Sequence, residues 1–130
     1  MRWTAEFNVQ MSIPAAQALS RMQQKIVYSD FNVGLGVLIG EIFYERAPDS
    51  PVTAFYRSKL AIKRPSWDLL AVLYAFLGEG ELFSLSEAGQ VHVDDEGRTV
   101  FTACDNGGHY LLQTRKTNDE YVEILNDIFQ

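Results

Sequence analysis

Ser66-Trp-Asp-Leu-Leu-Ala-Val-Leu-Tyr-Ala-Phe-Leu-Gly78 is the stretch that decides how the chain is read. Ser66 stands where an N-cap is wanted, Asp68 places a negative charge in the first turn, and Gly78 closes the segment, so a helix is expected between them. From Leu69 to Leu77 every residue is apolar, leaving no polar face at any helical angle. A helix of this kind belongs inside a protein, covered on nearly every side. Its nine apolar residues fall far short of the ~20 needed to cross a bilayer, so no membrane is implied.

Upstream, Ala47-Pro-Asp-Ser-Pro51 breaks the chain and restarts it as a helix, with Ser50 as cap and Pro51 at the first helical position. Leu35 to Tyr44 is apolar and punctuated by Gly36 and Gly40, and reads as a helix. Lys25 to Ser29 reads as a strand, and Asp30-Phe-Asn-Val-Gly34 mixes turn and strand signals. Thr4 to Val9 reads as a short strand. Ser12 then caps a helix running to about Gln24, whose apolar stripe would be Ala15, Ala18, Leu19 and Met22.

Downstream, Leu82 to Leu85 reads as a strand, and Val91-His-Val93 with Thr99 to Thr102 flank Asp94-Asp-Glu-Gly97 as a hairpin. His109 to Thr114 supplies another strand. Thr117-x-x-Glu120 is a capping box, opening a helix whose inward stripe would be Tyr121, Ile124, Leu125 and Ile128. Alternating helices and strands with a β-rich patch near the end make an α/β protein, with helices packed on a small mixed sheet and a β-hairpin near the C-terminus.

The 130 residues fit one domain, 1–130, long enough to bury a core without disulfides. A net charge of −6 argues against a phosphate backbone as partner, so nucleic acid is not expected. Cys104 has no second cysteine to pair with, is expected to be a buried thiol, and suits a reducing compartment; with an acid, Glu6, where a signal peptide would be apolar, a cytoplasmic location is expected.

Most chemical motifs fail on spacing. Gly34-Leu-Gly36-Val-Leu-Ile-Gly40 has its third glycine one position too late for a dinucleotide fingerprint. Asp94-Asp-Glu-Gly97 lacks the alternating acids and distant glutamate of a calcium loop, and reads as a solvated turn. His92 should face outward between Val91 and Val93, and neither it nor His109 has a zinc-ligand partner at helical spacing. Arg57, Lys59, Lys63 and Arg64 read as a solvated basic face near a helix C-terminus rather than a phosphate site.

Two segments carry a resemblance. Ala5-Glu-Phe-Asn-Val9, followed by Ala15-Ala16, resembles the ribose-binding segment of the nucleoside hydrolases, the inosine-uridine-preferring N-ribohydrolases. Arg64-Pro-Ser-Trp-Asp-Leu-Leu-Ala-Val-Leu-Tyr74 resembles that family's later segment, where an aromatic or histidine precedes a calcium-ligating aspartate at a helix start. The intervening and following stretches look like the same family in register, so the resemblance spans essentially the whole chain but only the C-terminal part of the family's enzyme.

The resemblance implies the C-terminal portion of an open Rossmann-like fold and an activity that hydrolyses the N-glycosidic bond of ribonucleosides. It assigns Glu6 and Asn8 to ribose hydroxyls, Trp67 to stacking on the base, with a purine preference, and Asp68 to calcium. The family's D-x-D-x-x-x-D-D cluster, which holds the rest of the calcium shell and the implied base, does not occur in this sequence. Calcium takes six to eight oxygens, so Asp68 alone is not expected to bind it, and the chain is expected to be inactive until an N-terminal half complements it. The alternative is a non-catalytic binding or self-associating module, covering by association the apolar helix that a lost half would leave bare.

Overall fold

The computed structural model describes residues 6–130, which form seven helices and seven strands in an α/β arrangement. Two compact units divide the chain, one made of the residues before Ser29 together with Leu85–Leu112, the other of Ser29–Ser84 with Gln113–Gln130.

In the first unit, α1 (Phe7–Met11) and α2 (Ile13–Ser20) precede β1 (Ile26–Tyr28), and β5 (Gly89–Val93) and β6 (Thr99–Ala103) form the expected hairpin. β1 runs parallel to β7 (His109–Thr114), with Ile26 opposite His109, while β5 is antiparallel to both β6 and β7, so the sheet is mixed. The hairpin turn follows its sequence: Asp94 Oδ1 accepts from the N–H groups of Glu96 and Arg98 at 3.0 and 2.8 Å, and Gly97 takes the left-handed φ of 77° that favours glycine. Val91 and Val93 point into the core and His92 points out, as their alternation requires.

Several expectations for this unit are overturned. Phe7 to Val9 is helical rather than extended: Gln10 N–H closes a turn on the Glu6 carbonyl, and the Gln10 amide anchors the turn to Glu96 O at 3.0 Å. Thr4 and Ala5 lie outside the described residues. α2 stops at Ser20, and Ala15, Ala18, Leu19 and Met22 are exposed. It meets β5 through the other side of the helix, where Ser20 is buried and Gln17 donates to the Asp95 carboxylate at 3.0 Å. Local hydrogen bonding to the hairpin outweighs a weak apolar stripe. Cys104, expected to be buried, is exposed just beyond β6.

The second unit holds α3 (Phe31–Leu35), β2 (Leu38–Ile39), α4 (Glu41–Arg46), α5 (Pro51–Ser58), β3 (Arg64–Pro65), α6 (Trp67–Leu77), β4 (Phe83–Leu85) up to Ser84, and α7 (Asn118–Ile128). The single helix expected over Leu35 to Tyr44 is split at Gly36 and Gly40. A Cβ on Gly40 would clash with the Ile62 carbonyl, and β2 uses the gap between the glycines to pair with β3. Ser50 caps α5 by accepting from Thr53 N–H at 3.2 Å, and Thr117 and Glu120 form the reciprocal capping box of α7. Phe83 stacks on Tyr121, their centroids 5.5 Å apart, and Tyr74 meets Phe83 edge-on. Val33, Val37, Ile39, Tyr56, Leu70 and Leu125 are the other buried apolar side chains of this unit. Ile128, assigned to the inward stripe of α7, is exposed because the helix ends there.

The long apolar helix departs most from expectation. Of the residues of α6 only Leu70 is fully buried, while Val72, Phe76 and Leu77 are 53%, 85% and 59% exposed. Among the described residues no helix is long and apolar enough to cross a membrane.

Candidate functional site

The start of α6 is built by its contact with α3. Asp30 caps α3 by accepting from Asn32 N–H at 2.6 Å, which fixes the Phe31 carbonyl at the helix entry. That carbonyl accepts from Trp67 Nε1–H at 2.7 Å, and the Phe31 and Trp67 rings lie 5.3 Å apart, tilted by 31°. Gly34 permits the approach: a Cβ there would stand 2.6 Å from the Trp67 N and Cα, and the Gly34 carbonyl accepts from Ser66 N–H at 3.1 Å. Trp67 is thus half-buried and held through both its ring and its backbone.

Asp68 follows in the first turn of α6, exposed, where the helix dipole favours its charge. Ser66 occupies the N-cap position but makes no side-chain capping bond, and its buried hydroxyl has no partner among the described residues. Asp30 is a residue that the sequence offered only as a turn signal. Burial pushes its carboxyl above the usual aspartate range, outweighing the Asn32 and Val33 N–H groups that pull it down.

Glu6 and Asn8 stand at the start of α1, both exposed, with Asn8 Nδ2 3.4 Å from Glu6 Oε1. They belong to the first unit, whereas Trp67 and Asp68 belong to the second. Each pair is adjacent within its own segment.

Among the described residues no three His, Cys, Asp or Glu side chains are grouped so as to hold a metal ion. One exposed carboxylate does not fit calcium, which takes six to eight oxygens. His109 is fully engaged in structure: Nδ1 accepts from Val91 N–H at 3.0 Å, which leaves the ring proton on Nε2 to be donated to Met22 O at 3.2 Å. The basic cluster from Arg57 to Arg64 is also engaged. Arg57 lies over the Tyr44 ring, Lys59 and Arg64 over Phe55, and Lys63 pairs with Glu41 at 3.0 Å.

An open groove of about 600 Å³ lies between α4 and the end of α5, lined by the apolar Tyr44, Leu60, Ala61 and Ile62 and by the charged Glu41, Glu45 and Arg57. It includes neither Trp67 nor Asp68. No family model matches this chain, and no curated protein or solved structure does so either.

Proposed function

We propose that this chain is a nucleoside-hydrolase-like segment of a Rossmann-like fold that holds one part of a ribonucleoside pocket and depends on a complementary segment for hydrolysis, in a cytoplasmic setting. The observation that supports this reading is the start of α6, where Trp67 is anchored by Phe31 and Gly34 immediately before an exposed Asp68. A rigid aromatic beside a free carboxylate suits a site that stacks a base and shares a cation with acids from another segment.

The test is ribose release from inosine, adenosine and uridine with calcium, by the chain alone and with an N-terminal nucleoside-hydrolase segment carrying the aspartate cluster. Turnover only in the mixture, abolished by Asp68→Asn, is expected. Robust turnover by the chain alone, or none from a mixture shown to form a complex, would overturn the reading.

A second reading, an interaction module, is favoured by the solvent face of α6. Monomeric proteins seldom leave a helix so apolar uncovered without a partner for it. Sedimentation tests its self-association form, since a dilute, well-behaved monomer at high concentration would count against it. Thermal shift with ribonucleosides separates the two readings, because a ligand that binds only the folded chain raises its apparent stability.

A further inference from the structure

We propose that the exposed face of α6 is a docking surface for a basic amphipathic helix, recognised by an apolar stripe with a carboxylate at each end. This inference rests on the interaction-module reading and names its partner. Asp68, Val72, Ala75 and Phe76 are all exposed and recur at i, i+4, i+7 and i+8, so they lie along one side of the helix. Gly78 ends the helix with a non-helical backbone, and Glu79 and Glu81 are exposed just beyond that end.

From Pro65 to Ser84 the sequence has three acids and no lysine, arginine or histidine. None of Asp68, Glu79 and Glu81 forms an ion pair among the described residues. The far end of α6 adds to this imbalance, because its last turn has no basic residue and its terminal carbonyls carry the negative end of the helix dipole. A cation placed there by a partner meets both the dipole and Glu79.

The chemistry of the occupant follows. Asp68 and Leu77 are nine positions apart in α6, about 14 Å along a helix at 1.5 Å per residue, with Glu79 just beyond. A partner helix of similar length, with Leu- or Phe-type residues at i, i+4 and i+7 and Lys or Arg near each end, covers the stripe and pairs both acids. A second copy of this chain suits the face poorly. Antiparallel pairing sets Asp68 of one copy beside the acids at the other end of its neighbour, and parallel pairing sets each acid beside itself, so like charges meet in both arrangements.

The experiment measures fluorescence anisotropy of two labelled helical peptides that share a Leu stripe, one carrying Lys at both ends and its twin carrying Glu, against the full chain. The Lys peptide is expected to bind about tenfold more tightly than the Glu twin at low salt, the gap closing as the Debye length shrinks. Phe76→Ser should weaken the Lys peptide about tenfold by removing the aromatic anchor. Asp68→Asn with Glu79→Gln should lower only the Lys peptide's affinity. Circular dichroism checks that each variant keeps its helix content, and the twin comparison on the unaltered chain needs no variant.

Equal binding of the two peptides would overturn the charge assignment and leave the interaction reading standing. So would self-association that Phe76→Ser abolishes, with neither peptide bound, because a second copy would then own the face. Binding of neither peptide by a chain that stays monomeric would overturn both.

Discussion

Trp67 donates its indole N–H to the Phe31 carbonyl at 2.7 Å while its ring packs against the Phe31 ring, so one residue at the start of α6 is tied to α3 by two kinds of contact. The two can be separated. Trp67→Phe keeps much of the ring contact and loses the hydrogen bond, which should cost about 1 kcal/mol. Trp67→Ala loses both and, for a half-buried ring, should cost roughly 2–3 kcal/mol. Urea unfolding of the two variants measures the difference, and equal losses would mean that the ring contact carries nothing.

Gly34 should tolerate no side chain. The Cβ of Gly34→Ala meets backbone atoms of Trp67 that cannot rotate away, so a loss of roughly 2 kcal/mol is expected. Gly80→Ala is the control, since nothing lies within 4 Å of a Cβ there. It should move stability by no more than about 0.5 kcal/mol.

Leu60 is 97% exposed and holds a left-handed φ of 50° just past the end of α5, a place where glycine is the usual residue. The side chain buries almost nothing in return for the backbone strain. Leu60→Gly should therefore leave stability unchanged or raise it by up to about 1 kcal/mol, measured by thermal unfolding. A clear loss would show that the strain is negligible.

Two carboxylates should respond to acid in opposite senses. Glu120 is held below the ordinary glutamate range by the Thr117 backbone and side-chain bonds. Its contribution is present above that ordinary range and is lost as pH falls through its lowered value. Asp30 is raised by burial, so its charged form is disfavoured on folding, and the associated stability is present at low pH and lost as pH rises through the raised value. In urea titrations from pH 7 toward pH 3, the deficit of Glu120→Gln relative to the unaltered chain should shrink. Asp30→Asn, which keeps a capping side chain, should compare best at pH 7 and lose that advantage in acid.

The features legible in the sequence were those written in adjacent residues. Ser50 with Pro51, Thr117 with Glu120 and the Asp94 to Gly97 turn each specify their geometry within a few positions, and each takes it. Sequence pattern and fold part where distant partners decide. Phe7 to Val9 has strand-like residues but closes a helical turn tied to Glu96, and α2 turns Gln17 and Ser20 inward, where Gln17 donates to Asp95 and the Ser20 carbonyl accepts from the Gln90 side chain of the hairpin. Trp67 and Asp68 were visible as a helix start, but nothing local announced the Phe31 carbonyl or the closeness of Gly34 that holds the tryptophan. A wholly apolar helix is equally silent about which of its sides lacks a neighbour. The exposure of Val72 and Phe76 is a property of the fold alone.

His109 carries the last prediction, because a fully buried imidazole bridges two backbone groups of the first unit. Nδ1 takes the Val91 N–H and Nε2–H is given to the Met22 carbonyl, joining β5 to the chain segment between α2 and β1. Its ring also packs against Tyr28, the centroids 5.4 Å apart, so an apolar ring can retain that contact. His109→Phe then isolates the polar part: Val91 N–H loses its partner in a buried setting and Met22 C=O loses its donor, and a loss of about 1–3 kcal/mol is expected. Hydrogen exchange should place the effect, with the Val91 amide losing protection in the variant while the amides of α7 do not. An unchanged Val91 amide would mean that the imidazole fills space there and bridges nothing.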